Sequence, residues 1–109
     1  MPRIDGLPPG TLVLLILRVV ARQPRHGYAI AQAIAQLSED ELSVEEGSLY
    51  PALQKLLLKG WVKASPTVSD TGRAVRAYRI TAAGRRQLEA EEANFERVTT
   101  AIRTVMARA

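Results

Sequence analysis

Apolar positions along the chain fall into blocks whose spacing changes from helical to alternating and back to helical. Within residues 12–22, Leu12, Val13, Leu14, Leu15, Ile16, Leu17, Val19 and Val20 surround most of a helix instead of marking one stripe. Such a helix must be covered from more than one side. Pro8-Pro9-Gly10 stops any earlier helix, and Thr11 is the predicted N-cap. Gln23-Pro24-Arg25 interrupts the pattern, and Gly27-Tyr28 opens a second helix carrying Ile30, Ile34 and Leu37 at helical spacing. Ser43-Val44-Glu45-Glu46 has the form of a capping box ahead of a third helix, in which Leu49, Leu53, Leu56 and Leu57 share a face and which Gly60 ends. Pro51 within it removes a backbone donor, so either the first turn is irregular or the regular part begins near Ser48.

Residues 62–68 and 73–80 alternate as strands around Ser69-Asp70-Thr71-Gly72, a turn-forming cluster, and predict a β-hairpin. Thr81 caps a last helix over residues 82–108, roughly 40 Å long at ~1.5 Å per residue. Leu88, Phe95 and Ile102 fall seven apart, with Glu91, Val98 and Val105 three residues after each, which makes a short imperfect heptad seam. Three helices, a hairpin and a long helix, with room for a short strand at residues 42–44, predict a mainly α chain of winged helix-turn-helix layout. Residues 1–80 form the winged part and 81–109 the long helix, and together they make one domain, since 109 residues are too few for two cores.

Composition narrows the function. The chain has no cysteine, which excludes disulfides, thiolate zinc sites and cysteine nucleophiles and fits a cytoplasmic location. Residues 1–6 lack the features of a signal peptide, and Arg18 breaks the apolar run of the first helix well short of a membrane span, so no membrane partner is expected. The formal charge of +4 is unevenly placed: Lys55, Lys59, Lys63, Arg73, Arg76, Arg79, Arg85 and Arg86 against Asp70 give +7 over residues 55–86 and leave −3 elsewhere. This is the distribution of a molecule with one face for a polyanion, or of a solvated basic surface. Glu45 and Glu46 are adjacent and do not face each other, so capping and the helix dipole explain them better than acid–base chemistry. The single histidine, His26, has no neighbour at metal-ligand spacing, and no phosphate loop, dinucleotide fingerprint or nucleophile elbow occurs. No enzyme activity, metal or cofactor is implied.

Leu12 to Arg18, His26-Gly27-Tyr28, Gly47-Ser48-Leu49-Tyr50-Pro51-Ala52-Leu53, Gly60-Trp61-Val62 and Tyr78-Arg79-Ile80-Thr81-Ala82-Ala83-Gly84 resemble, in order, the signature of PadR-like repressors. The single helix after the hairpin is similar to the smaller subclass of that family, in which it dimerises with its counterpart. Two positions depart from the pattern: Leu58 stands where relatives often carry an acid, and Ala77-Tyr78 where an aromatic pair often precedes the end of the wing. The resemblance implies a regulator that binds double-stranded DNA as a homodimer, represses by occluding a promoter and is released by an effector or by changed conditions; it allows a small apolar or aromatic effector near the subunit interface. The alternative is a winged-helix protein-interaction scaffold that does not read DNA sequence.

The DNA-contacting candidates are His26, Tyr28, Ser48, Tyr50, Pro51, Gln54, Lys55, Lys59, Arg73 and Arg76. Gln54 can pair with an adenine edge and Lys55 with guanine or phosphate, while Ser48 and Tyr50 can donate to phosphates. Arg73 and Arg76 suit the minor groove or its flanking phosphates. His26 either caps the second helix or stands near the backbone, and Tyr50 is either a contact or a half-buried packing residue. Arg79 and Arg85 are read as surface charges, and Trp61 as packing where the third helix meets the hairpin. The dimerisation candidates are Leu12, Leu15, Leu88, Phe95, Val98, Ile102 and Val105, with Phe95 either in the dimer core or in the wall of a cavity between subunits.

Overall fold

A computed structural model describes residue 7 and residues 10–109, so the predicted stop at Pro8 and Pro9 and the reading of residues 1–6 lie outside it. The elements run α1 (Thr11–Arg22), β1 (Arg25–His26), α2 (Gly27–Leu37), α3 (Glu46–Leu58), β2 (Val62–Val68), β3 (Ala74–Ile80) and α4 (Ala82–Arg108). The three strands form one antiparallel sheet in the order β1-β3-β2. This is a winged helix-turn-helix with a long C-terminal helix.

α1, apolar around most of its circumference, lies at the centre. Val13, Ile16, Leu17, Val19 and Val20 are buried against Ile30, Ala33 and Ile34 of α2, Leu49, Leu53 and Leu56 of α3, and Val62 and Tyr78 of the sheet. Leu12, Leu14 and Leu15 are only partly buried at its other side. Leu88 belongs to this same core at 6% exposure, so its place in the heptad seam is corrected: it packs inside the subunit, because the first turns of α4 lie along α1.

Four local readings also change. Gly10, not Thr11, is the N-cap of α1; its φ of 84° is open to glycine and starts the helix one residue early, with no side-chain cap. The capping box at Ser43 does not form, because Leu42 and Val44 pack on the core and hold the chain extended to Glu45, which becomes the N-cap of α3. The carbonyl of Glu45 accepts from the N–H groups of Ser48 at 3.0 Å and Leu49 at 2.9 Å, so α3 begins at Glu46 and runs on through Pro51. Residues 42–44 make only a single bridge residue at Leu42; the third strand is β1, which pairs Arg25 with Tyr78 and His26 with Ala77.

Two junctions fix the wing. At the end of α3, the N–H of Gly60 (φ 74°) donates to the carbonyl of Leu57 and that of Trp61 to the carbonyl of Leu56, a Schellman closure. At the start of α4, the Thr81 hydroxyl donates to the Gly60 carbonyl at 2.7 Å and accepts from the Gly84 N–H at 3.0 Å, while the Thr81 N–H donates to the Trp61 carbonyl at 3.0 Å. Gly84 is buried so close to this junction that a Cβ would collide with the Trp61 carbonyl oxygen and come within 2.8 Å of Ile80 Cγ1.

Candidate nucleic-acid interface

The helix-turn-helix pair is set by a tyrosine and a glycine. The ring of Tyr50, on α3, lies over the first residue of α2, where a Cβ on Gly27 would stand 3.0 Å from Tyr50 Cε1 and 3.1 Å from its oxygen. Tyr50 keeps 44% of its surface exposed, so it packs between the helices and still borders solvent. The preceding residue, His26, caps α2: its Nδ1 accepts from the Ala29 N–H at 3.3 Å. Capping is therefore the role the structure places on His26 in the free protein.

With Leu49, Leu53 and Leu56 buried, α3 turns Ser48, Pro51, Gln54 and Lys55 to solvent. Lys59 is exposed but bends to the flank, its Nζ 5.8 Å from the centre of the Trp61 ring, a cation–π geometry. Trp61 is itself half-buried against the core, at the junction of α3 and the wing.

The wing is held at its root by Val62 and Tyr78 and is exposed beyond. Its turn is closed by Ser69, whose N–H donates to the Arg73 carbonyl at 2.9 Å and whose hydroxyl accepts from the Arg73 N–H at 3.2 Å, with Gly72 at φ 83°. Arg73 and Arg76 are both exposed but part company. Arg73 lines a cleft of about 380 Å³ with His26, Tyr28, Gln32, Asp70 and Val75, between the wing turn and the start of α2. Arg76 pairs with Pro66 and sits on the opposite pleat from Val75, on the sheet face that carries Tyr78 into the core. Lys63 and Arg79, which the hydrophobic pattern did not single out, stand directly opposite each other and are both exposed. Like charges at such a position repel, at a cost of a few tenths to ~1 kcal/mol that a polyanion would relieve. Arg85 is exposed, as expected of a surface charge, and its Nη2 donates to the Ala21 carbonyl at 3.4 Å near the C-terminus of α1.

Phe95, Val98, Ile102 and Val105 form an exposed apolar stripe on the outer half of α4. Phe95, Val98 and Ile102 join Gly10, Thr11 and Leu14 around an open groove of about 380 Å³ between α1 and α4. Leu14 is an addition to the predicted set; the apolar run of α1 was too uniform to single it out. Arg18 and Glu92, 3.6 Å apart, link the same two helices. Among the described residues, no group of histidines and acids is placed to hold a metal ion, and no helix is long and apolar enough to cross a membrane.

Comparison with known proteins identifies the lineage of this arrangement. Residues 16–90 match the model of the transcriptional regulator PadR-like family. The chain is 37% identical over 83 residues to the transcriptional regulator Rv3488 of Mycobacterium tuberculosis, across 76% of this chain and 74% of that protein. A PadR family transcriptional regulator from Eggerthella lenta superposes with a TM-score of 0.78 at 26% identity, covering 92% of this chain and 85% of the other. A PadR-like transcriptional regulator from Bacillus cereus does so at 0.73 and 25%, covering 89% and 92%. With a family match spanning most of its length and the winged fold of those relatives, the chain is a member of the PadR-like family of transcriptional regulators.

Proposed function

We propose that this regulator binds duplex DNA sequence-specifically as a homodimer, in the cytoplasm, and represses by occluding a promoter. The segment before Thr81 reads DNA and α4 pairs the subunits. The observation that carries the reading is the outward face of α3, where Gln54 and Lys55 stand exposed beside a wing that presents Lys63, Arg73, Arg76 and Arg79. An amide in the major groove matches an adenine edge, and the basic wing supplies backbone affinity. The apolar stripe of α4 supports pairing, since Phe95, Val98, Ile102 and Val105 keep 45% to 62% of their surface exposed in the subunit. The groove at Leu14 and Phe95 would take a small apolar or aromatic effector whose binding releases the DNA.

Fluorescence anisotropy on the protein's own upstream region and on unrelated duplex, at several salt concentrations, tests this. Gln54→Ala should lose roughly 1–3 kcal/mol on the specific duplex and little on the other. Arg73→Ala should weaken both and flatten the salt slope by about one unit, because one phosphate fewer is neutralised. Equal binding of the wild type to every duplex would favour the protein scaffold instead.

A further inference from the structure

The line of α3 that points farthest from the core is apolar. At about 100° per residue, Gly47, Pro51 and Leu58 fall opposite the buried Leu49, Leu53 and Leu56, with Gln54 on one flank of that line and Lys55 on the other. Leu58 is 88% exposed, more than Met106 near the end of α4 at 75%. Pro51, the other apolar residue on that line, is seven residues or ~10 Å away along the helix, with Gln54 and Lys55 flanking the space between, so the apolar surface at Leu58 is far smaller than the several hundred Å² that a protein partner requires. A patch of this size suits a target no larger than a methyl group. The major groove offers one apolar group among its base-pair edges, the C5 methyl of thymine.

We propose that Leu58 is a specificity-determining residue that reads a thymine methyl group. It rests on the reading of α3 as the DNA-facing helix. Leu58 follows Gln54 by four residues, ~6 Å along the helix, so the thymine lies about two base pairs from the base that Gln54 reads.

The test begins with a duplex selected from a randomised pool by the wild-type protein. That duplex is resynthesised with deoxyuridine in place of each thymine in turn, which removes the methyl and leaves the hydrogen-bonding edge unchanged. Wild type should lose about fourfold in affinity at each of two positions, one per half-site, the equivalent of ~0.8 kcal/mol for one buried methyl. Leu58→Ala, which removes the contact from both subunits of the homodimer, should melt at the wild-type temperature, bind the thymine duplex about sixteenfold more weakly and be indifferent to deoxyuridine at either position. If wild type still selects its duplex but tolerates deoxyuridine at every position, the thymine reading fails while the regulator's DNA reading stands. A deoxyuridine penalty that persists in Leu58→Ala would assign the methyl to another residue and likewise overturn it. If the pool yields no preferred duplex, the reading of α3 itself fails and takes this inference with it.

Discussion

The two halves of α4 are one continuous helix under opposite constraints. In its first turns Thr81 is bonded to Gly60, Trp61 and Gly84, Gly84 admits no Cβ, and Leu88 is part of the core. From residue 93 onward every side chain except the half-buried Thr99 is exposed, including Phe95, Val98, Ile102 and Val105. The inner half is specified by packing and hydrogen bonds that its own subunit supplies. The outer half is a heptad-spaced row of apolar groups that its own subunit leaves roughly half or more exposed; on the proposed pairing, full burial of a Val, Ile or Phe side chain, worth about 1.5–3 kcal/mol, would be completed by a partner copy. Damage to the first half should therefore appear as impaired folding, and damage to the second as impaired association.

The largest effect is expected at Gly84. A methyl there meets backbone, the Trp61 carbonyl, and not the far end of a flexible side chain. Relief would require α4 to move away from the wing and break the bonds of Thr81. Gly84→Ala should lower the unfolding free energy by about 3 kcal/mol or more, measured by urea denaturation, although alanine is intrinsically the better helix former. A variant as stable as the wild type would mean that the inner half of α4 is not locked to the wing root.

Phe95→Asp probes the outer half of α4. At 45% exposure in the subunit, the residue can accept a carboxylate without unfolding the monomer. In a buried seam the same charge, unpaired, is strongly unfavourable. The expected outcome is wild-type helicity by circular dichroism together with a monomer by sedimentation, at a concentration where the wild type, on the proposed pairing, sediments as a dimer. An unchanged dimer would remove Phe95 from the interface, and a loss of helicity would show that the outer half is held by its own subunit after all.

Much of the fold was legible in the sequence, and the failures have local physical causes. The three helices, the hairpin with its Ser69 turn and the long α4 follow from apolar spacing and from Gly60, Gly72 and Thr81 as punctuation. The two-residue β1 carries no period of its own and exists because β3 offers it a partner at Ala77 and Tyr78. Leu88 shares the heptad spacing of Phe95 and Ile102, and a seven-residue repeat does not say where along a helix the core ends and the interface begins. On the outward face of α3 the candidates Pro51, Gln54 and Lys55 were readable by subtraction from the leucines, whereas the separation of Arg73 from Arg76 depended on where the turn ends and the pleat starts.

The smallest expected effects come from two helix starts that look alike in sequence, and they test whether contact or motif decides. Both Ser43 and Thr81 are hydroxyl residues placed to cap the helix that follows. Only Thr81 does so, accepting from Gly84 while donating to the Gly60 carbonyl; the backbone at Ser43 is followed by two further extended residues before α3 begins at Glu46. Replacing a capping hydroxyl by alanine ordinarily costs about 0.5–2 kcal/mol. Thr81→Ala also removes the bond to the Gly60 carbonyl, which lies at the surface and can bond water instead, so it should cost about 1 kcal/mol, inside that range. Ser43→Ala removes no bond to the first turn of α3 and should stay within ~0.5 kcal/mol of wild type, as ordinary surface substitutions do. The two variants belong in the same denaturation series, because only their difference is informative. Equal losses would mean that Ser43 caps α3 in solution and that α3 starts two residues earlier than Glu46. A neutral Thr81→Ala would mean that the wing and α4 are held by Gly84 and Leu88 packing alone, without the hydroxyl that joins them.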